Sequence, residues 1–503
     1  MVQGTASSVG KSLIVAAFCR IFHKAGLKVA PFKAQNMALN SFVTPEGREI
    51  GRAQAVQAEA ACVSPHVDMN PILLKPEDGM RSQVVVLGKP AGSMTWSAYQ
   101  SRRAEFAGIV ADSLSRLRAR HDLVVIEGAG SPAEVNLAAQ DIVNMHVAAA
   151  ADAPVLLVGD IDRGGVFAHL TGTMELLAPP DRARVVGFVI NKFRGDPALL
   201  APGLDLLRAR FDIPVLGVIP YITRLRIADE DSVGLEDRVR PRTPGAAQVD
   251  IAVVRLPHIS NYDDFLPLEH EDGVIVRFIE EPDECAGADL VIVPGSKSTV
   301  ADLRWLRERG IASATVRRAR EAGLVAGICG GCQMLGERIE DPYRVESEET
   351  ATSGLGLLPI VTRFARTKLT AQVRARVEAP SIFGGAEREA YELTAYEIHM
   401  GNIERGDETA APFRILSRNG VGSEAFDGAI NRDGNVAGTM LHGIFEHDVM
   451  RGAFIRALRR RKGIELSARC EPLASREQEY DRLAAAVAES IDLRALRRIV
   501  GLE

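Results

Sequence analysis

Two stretches of this sequence carry residue types at spacings that could do chemistry. The first is Gly4-Thr5-Ala-Ser-Ser-Val-Gly10-Lys11-Ser12. Backbone N–H groups of a glycine-bearing loop can surround phosphate oxygens, and a helix starting near Ser12 would aim its positive end at the same anion. Lys11 adds a full charge for the β- and γ-phosphates, and the Ser12 hydroxyl is placed to ligate Mg2+. The loop carries one residue more between its glycines than the common phosphate loop. Gly4, Thr5, Gly10, Lys11 and Ser12 are therefore candidate contacts to ATP. A Gly/Ser turn with a stray lysine is the bland alternative. It fits less well, because loop, apolar helix (Leu13 to Phe22) and strand follow in that order.

The second stretch is Gly327-Ile-Cys329-Gly330-Gly331-Cys332-Gln333, which follows an apolar run. Glycines on both sides of a cysteine permit the sharp strand-to-helix turn of a nucleophile elbow. Acyl transfer through a thioester needs a base from elsewhere in the fold. His442, in Gly438-Thr-Met-Leu-His442-Gly, closes an apolar strand and is the candidate; His399 is the rival. Backbone N–H groups around Gly295, after the run Leu290–Val293, and at Gly330 could form an oxyanion hole. Cys329 and Cys332 also make a CxxC, which leaves redox or zinc use open. Zinc would need a second pair or suitably spaced histidines.

Further polar groups stand at the ends of apolar runs. Glu127 ends Leu123–Ile126 and is a candidate Mg2+ ligand beside Ser12. Asn191 follows Val185–Ile190 and could read a nucleotide base or simply shape a loop. Lys33 could stabilise a transferring phosphoryl group. Asp141 could bind metal or position an acceptor. Gln35, Asn36, Asp160 and Asp162 are polar enough to grip a substrate, with capping as the plain alternative.

These residues need a scaffold. Short apolar runs at Lys28–Ala30, Val84–Leu87, Leu123–Ile126, Val155–Val158, Val185–Ile190 and Val215–Ile219 alternate with helical stretches. Such alternation predicts βαβ units and a parallel sheet. A second α/β unit begins at Ile251–Arg255 and includes Val274–Ile279, Leu290–Val293 and Val325–Ile328. The acidic, then Pro- and Arg-bearing stretch 228–248 reads as a linker. From Arg451 the pattern is helical, and its basic run Arg456 to Lys462 reads as a solvated face.

Length and composition agree. The chain has 503 residues, is 46% hydrophobic and 25% charged, and carries a net charge of −6. That suits two or three globular domains. The slight acidic excess and 5% aromatic content argue against a nucleic-acid binder. Six sparse cysteines suit a reducing compartment, so a cytoplasmic location is expected. No signal peptide and no membrane-spanning run are expected.

Together these motifs resemble the cobyric acid synthase family, and the resemblance extends over nearly the whole chain. Besides the two motifs and Glu127-Gly-Ala-Gly, it rests on four further runs. They are Pro31-Phe-Lys-Ala-Gln-Asn-Met, Met69-Asn-Pro-Ile-Leu-Leu-Lys75-Pro, Gly159-Asp-Ile-Asp-Arg-Gly-Gly-Val-Phe and Ile190-Asn-Lys-Phe-Arg-Gly-Asp. The resemblance implies an α/β fold of two domains: a dethiobiotin-synthetase-like P-loop domain with a parallel sheet, then a class I glutamine amidotransferase (flavodoxin-like) domain. The expected bounds are 1–235 for the ATP-binding ligase domain, 236–248 for a linker and 249–450 for the amidotransferase. A helical tail, 451–503, is expected to pack on the latter. The resemblance further implies ATP and Mg2+ as cofactors, and glutamine and a corrinoid as partners. The reaction would amidate the b, d, e and g carboxylates of adenosylcobyrinic acid a,c-diamide. A related amidase acting on cobyrinic acid is the alternative, and a homodimer is among the expectations. In class I amidotransferases a Glu stands two residues after the histidine; here Ile444 does, so a Cys–His dyad is expected. Glu446, two places further, is of open role.

Overall fold

The structure, a computed structural model, describes residues 1–77, 79–137, 140–223, 225–228, 245, 248–384, 391–464 and 475–502. Most of the predicted linker, 236–248, lies outside these residues. In the first half, strands Val2–Gly4, Val155–Asp160, Val185–Phe193 and Val215–Pro220 form a parallel sheet. Strands Val29–Phe32 and Leu123–Ile126 pair in parallel beside it, joined through a bridge between Val2 and Glu127. Val155–Asp160 is buried along its whole length, as expected of a parallel strand covered on both faces. The phosphate-loop candidates thus lie at the C-terminal ends of strands, where open α/β sheets bind ligands.

Val84–Leu87 departs from the expected pattern. It falls in strand Arg81–Val86, which pairs antiparallel with Ile72–Glu77 and Lys89–Thr95 in a separate small sheet. An apolar run by itself does not distinguish a parallel strand from one side of a hairpin.

In the second half, Val274–Ile279, Val249–Val254, Leu290–Val293, Leu324–Ile328 and Val436–Thr439 lie side by side in parallel, with Ala429–Ile430 antiparallel at the edge. A second sheet is built on the long antiparallel pair Ile360–Val377 and Glu392–Arg405.

The tail divides. Helix Asp448–Lys462 places Phe454, Ile455 and Leu458 in the core of the second half. Helix Arg476–Ser490 instead joins the core of the first half, where Tyr480, Leu483 and Val487 meet Val15, Phe18 and Cys19. The expectation that the whole tail packs on the amidotransferase half is therefore corrected. The exposed apolar face of helix Lys11–Lys24 needs a cover, and the amphipathic pattern of the tail did not say which of two cores it would complete.

Candidate active site

At the N-terminus, Gly10 has φ +97, a conformation that favours glycine. A Cβ there would stand 2.1 Å from Nδ2 of Asn191. That amide is buried and donates to the Val9 carbonyl at 2.8 Å. Asn191 therefore braces the loop, the shaping role that was its alternative. The strand carrying it ends beside the loop, so its Nδ2 is engaged there. Lys192 adds a second brace, bonding Ser8 O at 2.7 Å and Asp160 at 2.8 Å.

The acidic centre of this half is Glu127, fully buried at the end of its strand. Its Oε1 accepts from Ser12 Oγ at 2.9 Å and from Lys33 Nζ at 3.0 Å. Its Oε2 accepts from Gln57 Nε2. Lys11 Nζ donates to the carbonyls of Ala6 and Gly130. The structure thus gathers Lys11, Ser12, Lys33 and Glu127 into one cluster. Ser12 and Glu127 offer a hydroxyl and a carboxylate, the hard oxygen donors that suit Mg2+ completed by phosphate and water. Gln57, missed in the sequence, sits on helix Arg52–Ala60, whose alanine-rich pattern has no clear apolar stripe and gave no signal. Asp141 is not among the groups that meet at Glu127. Its carboxylate accepts from the backbone N–H groups of Val143, Asn144 and His146, capping helix Met145–Ala151. Gln35 and Asn36 bond Tyr99 and Gln54, and Asp162 pairs with Arg194.

In the second half, Cys329 has φ 49 and ψ −110 and immediately precedes helix Gly330–Leu335. This is strained backbone for a residue with a Cβ. It is held by close packing. A Cβ on Gly331 would lie 1.9 Å from the Val293 carbonyl, and one on Gly330 2.9 Å from the Ser296 nitrogen. The Gly295–Ser296 turn is thereby pressed against the elbow, and a Cβ on Gly295 would reach His442 Cε1 at 3.1 Å. Cys329, Gly330, Gly295 and His442 are brought together.

His442 is buried, and the Cys329 side chain is close enough to act on its charge. Its Nδ1 stands 2.6 Å from Oδ2 of Asp264, whose Oδ1 accepts from the Gly443 nitrogen at 2.8 Å. The expected dyad is thus corrected to a Cys–His–Asp arrangement. The acid comes from another element, the turn Tyr262–Phe265, not from the histidine strand. Its sequence signal was Asp263-Asp264 inside the apolar stretch Ile259 to Leu268, since acids in a buried stretch must be paired. Burial opposes charge on His442, but Asp264 and Cys329 outweigh it and raise its pKa to about 10. Tyr396 stacks on the imidazole with ring centroids 5.3 Å apart.

The rival, His399, lines a cavity of about 50 Å³ beside Cys329, with Lys368 from the same half and Lys75 and Gln83 from the first. It lacks the acid partner on Nδ1 that His442 has. Glu446 points its carboxylate to Arg52 and Arg476. Cys332 is fully buried, and burial raises its thiol pKa well above the ordinary value. The cysteines among the described residues are unpaired with one another, and no metal-ligand cluster of His, Cys, Asp and Glu occurs among them.

The two halves meet near the cysteine centre. Lys75 and Lys368 both pair with Glu49, at 2.8 and 2.6 Å, and Lys297 pairs with Glu77 at 2.7 Å. No helix among the described residues is long and apolar enough to cross a membrane.

Comparison with known proteins fits this division. Residues 1–234 match the CobQ/CobB/MinD/ParA nucleotide binding domain, and residues 250–450 the CobB/CobQ-like glutamine amidotransferase domain. The chain is 63% identical to a cobyric acid synthase of Sorangium cellulosum, covering 100% of this chain and 98% of that protein. It is 49% identical to one from Dehalococcoides mccartyi, over 99% of this chain and 98% of the relative. To one from Syntrophobacter fumaroxidans it is 47% identical, over 100% and 98%. With identity of this level over the full length, and with both centres in place, the chain belongs to the cobyric acid synthase family.

Proposed function

We propose that this chain is a glutamine-hydrolysing, ATP-dependent amide ligase. It would convert the b, d, e and g carboxylates of adenosylcobyrinic acid a,c-diamide to amides, giving adenosylcobyric acid. A carboxylate does not react with ammonia at neutral pH, because its carbonyl is deactivated and its leaving group poor. The first half answers this by transfer of the γ-phosphoryl group of ATP to a carboxylate oxygen, with ADP leaving. Ammonia then displaces phosphate from the acyl phosphate. Lys11 and Lys33 face the charge that develops on the phosphoryl oxygens, and Ser12 and Glu127 would hold Mg2+. That ion, when bound, neutralises phosphate charge.

In the second half, the Cys329 thiolate attacks the side-chain amide of glutamine. The protonated His442 supplies a cation beside the sulfur and the proton that the departing ammonia takes. Asp264 fixes the imidazole by its Nδ1, so that the other ring nitrogen faces the sulfur. Backbone N–H groups at Gly295 and Gly330 are the candidate oxyanion donors. Water then cleaves the thioester to glutamate. Ammonia must reach the acyl phosphate unprotonated, and the cavity at Cys329, walled by both halves, is where its passage would start.

The observation that carries the reading is the Cys329–His442–Asp264 arrangement in the same chain as the Ser12–Lys33–Glu127 cluster. The test is mass spectrometry of the corrinoid after incubation with MgATP and glutamine. Each amidation replaces a carboxylate by a neutral amide and removes one negative charge. Product analysis with defined corrinoid acids separates this reaction from amidation of cobyrinic acid, and an unchanged corrinoid rejects the reading.

A further inference from the structure

We infer that Arg52, a residue of the nucleotide-binding half, is a positioning residue of the glutaminase centre: it holds the turn 261–265 where Asp264 can orient His442. The inference deepens the reading above and rests on Cys329 and His442 being the glutaminase pair.

Arg52 Nε lies 2.8 Å from Asp263 Oδ2, and the two side chains are 5% and 4% exposed. Asp263 is the neighbour of the acid that bonds His442. Its Oδ1 is buried without a hydrogen-bond partner, as is Arg52 Nε, so charge rather than an aligned hydrogen bond holds the pair. The turn buries Tyr262 and Phe265 in the core of the second half, but its carboxylates need partners from other elements. It is four residues long and is entered through Asn261 at φ 53. The first half also holds this entry point, where the Ser41 nitrogen donates to Asn261 Oδ1 at 3.1 Å. Asn261 Nδ2 in turn donates to the hydroxyl of Tyr396, the ring stacked on His442. Arg52 itself lies over Phe42, whose ring leans on Tyr396.

The charges explain why a cation must come from outside. Asp263 and Asp264 are buried side by side, with the half-buried Glu446 close to them. His442 serves Asp264, while Arg476 serves Glu446 and Glu59. Arg52 faces Asp263, Glu446, Glu59 and Tyr396. Asp263 faces Arg52, Asp264, Glu446 and His442. Burial already pushes Asp263 up to about 6 with Arg52 in place. Removing the guanidinium would leave adjacent buried carboxylates with one imidazolium between them. A proton would then settle on Asp263 near neutral pH, or the turn would shift and release His442.

The experiment compares full-length wild type, Arg52→Met, Arg52→Lys and R52M/D263N. Glutamate release from glutamine is followed across pH, and amidation with added ammonia is read on the same preparations. For Arg52→Met the expected glutaminase kcat is down about tenfold or more, with KM for glutamine within about twofold. The loss is greatest where Asp263 is charged without a partner and shrinks toward acid pH, where it is protonated. Arg52→Lys restores most of the rate, and R52M/D263N, which removes both charges together, returns the pH profile toward wild type. A wild-type kcat in Arg52→Met overturns the inference. So does a loss of equal size at every pH, a parallel loss of ammonia-dependent amidation, or a pH profile still displaced in the double variant. A wild-type protein that releases no glutamate breaks the underlying reading instead, and the same control reports it.

Discussion

At the cysteine elbow the reactive geometry is cut into the backbone, whereas at the phosphate loop it resides in side-chain charges that satisfy one another. Cys329 keeps its strained φ because Gly330, Gly331 and the Gly295–Ser296 turn are packed too closely to relax. Lys11 rests on loop carbonyls, and Glu127 gathers Ser12, Lys33 and Gln57. One centre is rigid and can meet a neutral amide without rearrangement. The other must exchange internal partners for phosphate oxygens, so its affinity is set by a competition. Strain stored in packing and charge stored in pairs are different ways to keep a site ready.

The largest expected effects test that the centres are separable. Cys329→Ala should abolish glutamine-dependent amidation and leave amidation with added ammonia. Lys11→Met should abolish amidation with either nitrogen source while glutamate release persists. A Cys329→Ala protein that ammonia does not rescue would break the division. Next, Asp264→Asn should lower glutaminase kcat by about a hundredfold or more, because the imidazole loses its orienting acid. A change under about threefold would return the site to a dyad. The contrast in packing predicts a stability effect. Gly331→Ala, whose Cβ would meet the Val293 carbonyl at 1.9 Å, should destabilise the amidotransferase half by about 2–3 kcal/mol in denaturant melts. Gly10→Ala should act chiefly through the displaced Asn191 and show as weaker ATP binding.

The smallest effect is electrostatic. His442 has its pKa raised from 6.5 to about 10, so its stabilisation is fully present below 6.5 and is lost as pH rises through about 10. Part of that rise comes from Asp264. The gap in melting temperature between wild type and Asp264→Asn should therefore narrow from neutral pH toward 10. Met1 and Lys368, whose pKa values burial lowers to about 5 and about 8, are common to both proteins and cancel in the difference. A gap that widened with pH would exclude the Asp264–His442 pair as its source.

The phosphate loop, Glu127, the elbow and His442 were legible in the sequence because each is local: glycines, a nucleophile or an acid lie at the end of an apolar run. Asp264 was not, because it comes from a turn far from the histidine strand, and only two adjacent acids in an apolar stretch marked it. Gln57 and Arg52 were invisible for the same reason, since a helix without a clear apolar stripe gives no hint of which partners its polar residues meet. Asn191 and Asp141 show the opposite ambiguity. A polar residue at a strand end is equally well used to brace a loop or cap a helix, and in this fold both are used that way. The βαβ alternation predicted the main sheets, but Val84–Leu87 belongs to a hairpin sheet that the same pattern also fits.

The tail helix Arg476–Ser490 has a consequence for how the protein is made. Arg20 and Asp481, 461 positions apart, are bonded, and Tyr480, Leu483 and Val487 complete the core around the first helix. A nascent chain emerges from its N-terminus and tends to fold domain by domain. Here the first helix leaves the ribosome with an apolar face uncovered and waits for a segment translated 461 positions later. Through that interval the newborn protein must either hold its opening helix loosely or lean on a chaperone.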